Sequence, residues 1–243
     1  MRNDMIGMKE SNNSPDGVQL DRIVLVGRTL SEYLKFFDLD LSLWKECKIL
    51  DCPAGTASFV AEAKKRGIHA VGCDPLFGSD LKVLVEHAKA DVEHIIEKTS
   101  LVPHLYDWNF HRTMNSLKKH TTLALRQFAE DYPIGIAENR YIKAELPRLP
   151  FDDKSFDLVL CGHFLFIFSS RFDYSFHINS ILELVRVSSK EVRIYPIQGM
   201  DAKPYEYIEN ILSELRSKGI TCEIVPVSFE FLRNGNQMLR LIR

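Results

Sequence analysis

The sequence predicts an α/β fold built on a single doubly wound, mostly parallel sheet with helices on both faces, and three observations carry that prediction. Apolar strand-like runs alternate with helical periodicities from residue 48 to residue 219, the pattern that lays helices over a parallel sheet. The first two runs each end in an acid, Asp51 and Asp74, at the strand ends where such sheets open a binding crevice. The chain then closes with two more strand-like runs, 221–227 and 237–243, with Asn234-Gly235 between them. A short connection of that kind requires antiparallel pairing. The sum is five strand-plus-helix units and a terminal hairpin, with no internal repeat.

Composition sets the limits. A chain of 243 residues that is 45% hydrophobic can bury a full core, and one large domain accounts for it. With 31 basic against 33 acidic residues the net charge is −2, so no whole-protein positive field is present to hold nucleic acid non-specifically. Cys47, Cys52, Cys73, Cys161 and Cys222 are odd in number and dispersed. They read as reduced core thiols, and no CxxC pair points to a metal. The first twenty residues lack the apolar core of a signal peptide, and no run of about 18 apolar residues occurs. A cytoplasmic protein without membrane contact is expected.

Taken in order, residues 1–20 are rich in Asn, Ser, Asp and Gly and read as a loose tail. Residues 21–44 form a helical extension that should lie over the first crevice. Thr29 or Ser31 caps its helix, which carries Leu30, Tyr33, Leu34 and Phe37 on one side. The domain proper spans 45–243. It begins with the stretch KILDCPAGTASFVAEAKKRGIHAVGCD at 48–74, which reads as strand, tight turn, helix and second strand. Gly55 lets the backbone approach a ligand closely, and free N–H groups near Ala57 and Ser58 are expected to receive an anion. A dinucleotide fold would require GxGxxG here, and DCPAGTASF is not that. Asp74, about 20 residues past the glycine turn, is placed to accept hydrogen bonds from two ribose hydroxyls. Ribose without pyrophosphate points to S-adenosylmethionine (SAM).

The next segment, 79–100, places Leu81, Leu84, Val85, Ala88, Val92 and Ile95 at helical spacing. His87 and His94 read as solvated, because a seven-residue interval brings no third ligand beside them. Residues 101–140 lengthen the connection to the third strand well beyond a loop and include a helix predicted over 121–131. Tyr106, Trp108, Phe110 and His111 make this insertion aromatic. Two readings stay open: a lid over the reacting groups, or a helical pair covering a sheet face. The third strand ends in Glu145, and Asp152 with Asp153 forms a solvated turn. A buried run over 156–161 follows, ended by Gly162-His163. A helix over 175–187, a strand over 191–197 and a helix over 205–219, stopped by Gly219, complete the alternation.

With ILDCPAG at 49–55, VGCD at 71–74, AELPRLPFDDKSFDLVLCGHFL at 144–165 and the terminal hairpin in view, the chain resembles class I, Rossmann-like SAM-dependent methyltransferases from about Cys47 to its end. The resemblance implies seven strands in the order 3-2-1-4-5-7-6, the last antiparallel. It implies SAM as cofactor and S-adenosylhomocysteine as product. Asp51 with the backbone at Pro53 and Gly55 would hold the amino acid end, and Asp74 the ribose. Glu145 and the backbone of Leu146 would meet the adenine, while Cys161, Gly162 and His163 would line the methyl-donor end. The chain departs from the family by carrying Pro53 and Ala54 where a second glycine usually precedes Gly55.

A sulfonium methyl is already activated, so the protein has only to exclude water, align the acceptor and remove a proton where one is released. His163 is the candidate base or positioning group, since an imidazole titrates near neutrality. Tyr106, His111, Tyr174 and His177 are candidates for the acceptor pocket. A small-molecule methyltransferase is the first reading, because no NPPY motif or basic stripe marks a nucleic-acid substrate. A SAM-binding sensor or partner subunit without methyl transfer is the alternative. A nicotinamide-dependent oxidoreductase is disfavoured by the missing glycines.

Overall fold

The computed structural model describes residues 17, 18 and 20–243. A seven-stranded sheet comprises β1 (Lys48–Asp51), β2 (His69–Asp74), β3 (Tyr141–Lys143), β4 (Phe156–Gly162), β5 (Ser188–Tyr195), β6 (Thr221–Pro226) and β7 (Gln237–Ile242). The helices are α1 (Leu30–Phe36), α2 (Phe59–Lys64), α3 (Leu81–Leu101), α4 (Met114–Ala137), α5 (Tyr174–Val187) and α6 (Ile208–Ser217). The strand order is β3-β2-β1-β4-β5-β7-β6. β1 through β5 pair in parallel, whereas β7 runs antiparallel to both β5 and β6. This is the class I methyltransferase fold, with the strand order and the reversed last strand that the resemblance implies.

Two apolar layers clothe the sheet, and the two-residue period of a strand decides which side chain enters which. Ile49, Leu158 and Leu160 join Leu30, Phe36 and Phe128 on the face covered by α1 to α4. Their neighbours Leu50, Val159 and Cys161 join Ile181, Leu184 and Ile211 on the face covered by α5 and α6. Cap chemistry fixes the helix starts. Asp80 accepts from the N–H groups of Lys82 and Val83, and Asp173 from that of Phe176. At the start of α1 the Glu32 carboxylate accepts from the Thr29 N–H at 2.7 Å.

Three expectations change, and one open choice narrows. Residues 1–16 and 19 of the expected tail lie outside the described residues, but Gly17 and Val18 are not loose. Val18 is 5% exposed and donates its N–H to the Met200 carbonyl. The helix expected over 121–131 runs from Met114 to Ala137, started by the Thr113 cap and continuing through Pro133. Proline leaves only one backbone donor missing there, and the packing of Phe128 and Tyr132 on Phe77 and Tyr141 outweighs that loss. Gly135 permits this approach, since a Cβ at that position would lie 2.3 Å from the Tyr141 ring. The terminal hairpin is not closed by a tight Asn-Gly turn; residues 227–236 form a long loop. That loop folds back on the insertion, where Asp107 donates to the Phe231 carbonyl and Arg233 to the Leu105 carbonyl. Finally, α4 lies against α3 and the β2–β3 side of the sheet, so the greater part of the insertion is a sheet cover. Among the described residues no helix is long and apolar enough to cross a membrane.

Candidate functional site

The carboxyl ends of β1, β2 and β4 open into a cavity of about 410 Å³. Its floor is the turn after β1. The Cys52–Pro53 peptide is cis, Gly55 adopts φ +51°, and the Gly55 N–H donates to Asp74 Oδ2 at 3.0 Å. Asp74 Oδ1 accepts from the Leu76 N–H, also at 3.0 Å. Burial raises the Asp74 pKa while these two backbone donors pull it back. A carboxylate has about four acceptor sites, so Asp74 retains capacity for further donors at the cavity wall. Glu145 and Leu146 line the neighbouring wall, the first exposed and the second buried.

The turn is not an open anion cradle. The N–H of Ala54 donates to the Cys73 carbonyl, that of Ala57 to Ala54, and that of Ser58 to Arg28. The expected free donors at Ala57 and Ser58 are therefore engaged. Ala57 is satisfied within the turn itself, and Ser58 by the extended segment before α1, which lies directly on the turn. A Cβ on Gly27 would meet the Thr56 carbonyl oxygen at 2.2 Å, so only glycine fits the crossing. Glu62 secures the same junction by accepting from the Leu30 N–H at 3.0 Å and the Ser58 hydroxyl at 2.7 Å.

Other site residues expected from the sequence fall in several places. Pro53, Gly55, Asp74, Glu145, Leu146, Gly162 and His163 line the one cavity. Asp51 and Cys161 do not. Asp51 is fully buried behind Tyr33, whose hydroxyl lies 2.9 Å from Oδ2, and burial pushes its pKa up to about 8. Cys161 points into the opposite apolar layer, because it alternates with Leu160 along β4, and burial raises its thiol pKa. Tyr174 and His177 sit on α5, across the sheet. The Tyr174 hydroxyl donates to Glu214, and the His177 ring nitrogens lie 2.7 and 3.0 Å from the carbonyls of Asp173 and Leu165. His111 is buried with Nε2 3.6 Å from Glu32, and burial with the nearby Arg28 lowers its pKa to about 3. Among the described residues no group of three or more His, Cys, Asp or Glu is placed to hold a metal ion.

His163 leaves β4 with φ +52°, and its ring packs edge-on against Phe36 and Tyr195. Its pKa does not stay near neutrality: burial, then Arg28 and His111, push it well below the ordinary histidine range. The ring is neutral at pH 7, and Nδ1 is buried without a protein partner among the described residues.

Beyond His163 lies a second cavity of about 90 Å³. It shares Val24, Val26, Arg28, His163 and Phe168 with the first, so the two chambers adjoin along one wall. Tyr106 lines only this second chamber. Arg28 and the segment around it were not among the sequence candidates. The available signal was the Thr29–Glu32 capping pair, which places Arg28 one residue ahead of a helix start beside the crevice.

Comparison with known proteins gives one sequence relative. An uncharacterized protein, MJ0045 of Methanocaldococcus jannaschii, is 31% identical over 228 residues, spanning 93% of this chain and 99% of that one. No protein-family profile matches. Among solved structures, a magnesium protoporphyrin IX methyltransferase from Synechocystis with bound SAM is 12% identical, with a TM-score of 0.43 over 81% of this chain and 70% of that one. A SAM-dependent methyltransferase from Aquifex aeolicus is 15% identical, with a TM-score of 0.39 over 87% and 91%. A possible histamine N-methyltransferase from Thermotoga maritima is 12% identical, with a TM-score of 0.42 over 86% and 87%. At such identities and scores, the fold rests on the strand order and pairing described above.

Proposed function

The chain belongs to the same family as that uncharacterized Methanocaldococcus jannaschii protein, and we propose that it is a SAM-dependent methyltransferase acting on a small molecule. One observation carries the reading: Asp74, at the carboxyl end of β2, is held by the Gly55 and Leu76 N–H groups on the wall of a 410 Å³ cavity. That volume is in the range of small-molecule and cofactor sites. A second observation favours SAM over a dinucleotide, since the backbone donors of the turn are already taken and offer a pyrophosphate little.

In this reading Asp74 receives the ribose hydroxyls. Glu145 and the Leu146 backbone border the adenine, while Pro53, Gly55 and Gly162 shape the rest of the seat. SAM, when bound, supplies an activated methyl group on a sulfonium. Asp51 takes part only indirectly. It is neutral below about pH 8, and a cationic amino group near Tyr33 would favour its ionised form. Val24, Val26 and Phe168 exclude water along the wall between the chambers. His163 positions the acceptor as a neutral ring, and its low basicity fits a hydrogen-bonding role better than proton abstraction.

The test is calorimetric titration with SAM, S-adenosylhomocysteine and NADH. Micromolar SAM binding is expected, with none for NADH. Asp74→Ala should lose SAM binding by at least about tenfold, since the ribose acceptor disappears and two backbone donors lose their partner. Absence of SAM binding to ligand-free protein would overturn the assignment.

A further inference from the structure

The second chamber is lined mainly by apolar and aromatic groups, among them Ile95, Ile167, Tyr195, Phe231 and Leu232. Its polar side chains are largely committed to the protein. The Tyr195 hydroxyl donates to the Gly235 carbonyl, Gln198 Nε2 lies 3.0 Å from the Arg233 carbonyl, and the Thr99 hydroxyl donates to Tyr106. Among the described residues Arg28 is the one charged side chain in the lining, and 15% of it is exposed.

Its guanidinium is only partly satisfied. Nη1 lies 3.3 Å from Glu32 Oε1, while Nε and Nη2 have no partner among the described residues. Glu32 divides its oxygens: Oε2 accepts from the Thr29 N–H at 2.7 Å and the Thr29 hydroxyl at 2.8 Å, and Oε1 faces Arg28 Nη1 alone of the guanidinium nitrogens. Burial first, and then the Arg28 charge, lowers the pKa of both His111 and His163, so neither ring competes with Arg28 for an anion as a second cation. A partly buried guanidinium with two donors that no described protein group takes is matched by a planar anion that can take both. The Nδ1 atom of His163, on the same shared wall, also lacks a partner among the described residues.

We propose that the second chamber is the acceptor site and that it takes a small carboxylic acid with an apolar or aromatic body, its carboxylate on the Arg28 fork at the junction of the two chambers. The body occupies the Ile95, Ile167 and Phe231 side, and the cofactor stays in the first chamber. The assignment of the second chamber as acceptor site rests on the SAM reading above; the anion preference of Arg28 does not.

The probes are butyrate and benzoate, each against its amide, titrated with and without saturating S-adenosylhomocysteine. At least one carboxylate should bind together with S-adenosylhomocysteine, about tenfold or more tighter than its amide. Arg28→Gln should abolish that preference while S-adenosylhomocysteine affinity stays within about threefold. Arg28→Lys keeps the charge beside Glu32 but not the fork, so it should fold and show a weakened preference. Equal binding of acid and amide, binding of neither, competition between carboxylate and S-adenosylhomocysteine, or an unchanged preference in both Arg28 variants would each overturn the proposal. Failure of S-adenosylhomocysteine to bind removes the cofactor reading and with it the acceptor role. The same titration without it still decides whether Arg28 selects carboxylates.

Discussion

Replacing Asp51 with asparagine should stabilise the protein, and by an amount that grows with pH. The carboxyl is fully buried and, among the described residues, its one hydrogen-bond partner is the Tyr33 hydroxyl. Burial first, opposed by that hydrogen bond and assisted by the Asp74 charge, raises its pKa from 3.8 to about 8. For a group raised on folding, the contribution to stability is complete below the unfolded value and is lost as pH rises towards the folded one. Each pH unit in that window costs about 1.4 kcal/mol, so between pH 5 and pH 8 the wild-type protein loses up to about 4 kcal/mol that an asparagine would not. At about 2–4 °C per kcal/mol for a chain of this size, the melting temperatures should diverge by on the order of 10 °C. Asparagine has the shape of the protonated carboxyl and still accepts from Tyr33, so the two proteins should melt close together at pH 5. Differential scanning calorimetry at pH 5, 7 and 8 makes the comparison. A difference that does not change across that range would mean Asp51 is already ionised at pH 5, and the argument from burial would fail.

Two further substitutions probe the walls of the chambers. Gly27→Ala would drive a Cβ into the Thr56 carbonyl, with a cost of about 2 kcal/mol or more and at least tenfold weaker SAM binding as the turn is displaced. Gly67→Ala is the control, because that glycine has φ +71° with no atom near its missing Cβ, so thermal melting should register only a strain of about 1 kcal/mol and calorimetry no loss of SAM binding. His163→Asn tolerates the left-handed backbone while removing the imidazole. SAM affinity should stay within about threefold while S-adenosylhomocysteine release falls with any acceptor that the wild type methylates, and parallel loss of both would place His163 in the cofactor seat.

The sheet was legible because its signals are local and periodic. Buried runs such as 156–161 alternate with helical spacings, and acids stand where β1 and β2 end. The lining of the crevice was legible only where backbone position decides it, as at Gly55, Asp74 and Gly162. Side-chain direction was harder to read. The alternation along β4 turns Cys161 away from the cavity that Gly162 enters, and helical periodicity on α5 marks His177 as buried without saying against which face of the sheet. Arg28 was missed for a different reason. Residues 23–28 form neither helix nor strand, and their course is fixed by long-range contacts such as Gly27 on Thr56 and the Ser58 N–H on the Arg28 carbonyl. The hairpin loop at 227–236 likewise takes its path from the insertion it rests on.

That stitched junction also bears on how the two chambers respond to one another. The Arg28 carbonyl holds the start of α2, next to the turn that floors the first chamber, while the residue also lines the second. One residue thus borders both chambers, its backbone tied to the floor of the first and its side chain to the wall they share. In the proposed reading the two ligands meet at that residue, and any coupling between them is reciprocal: whatever factor the first adds to the affinity of the second is returned in equal measure.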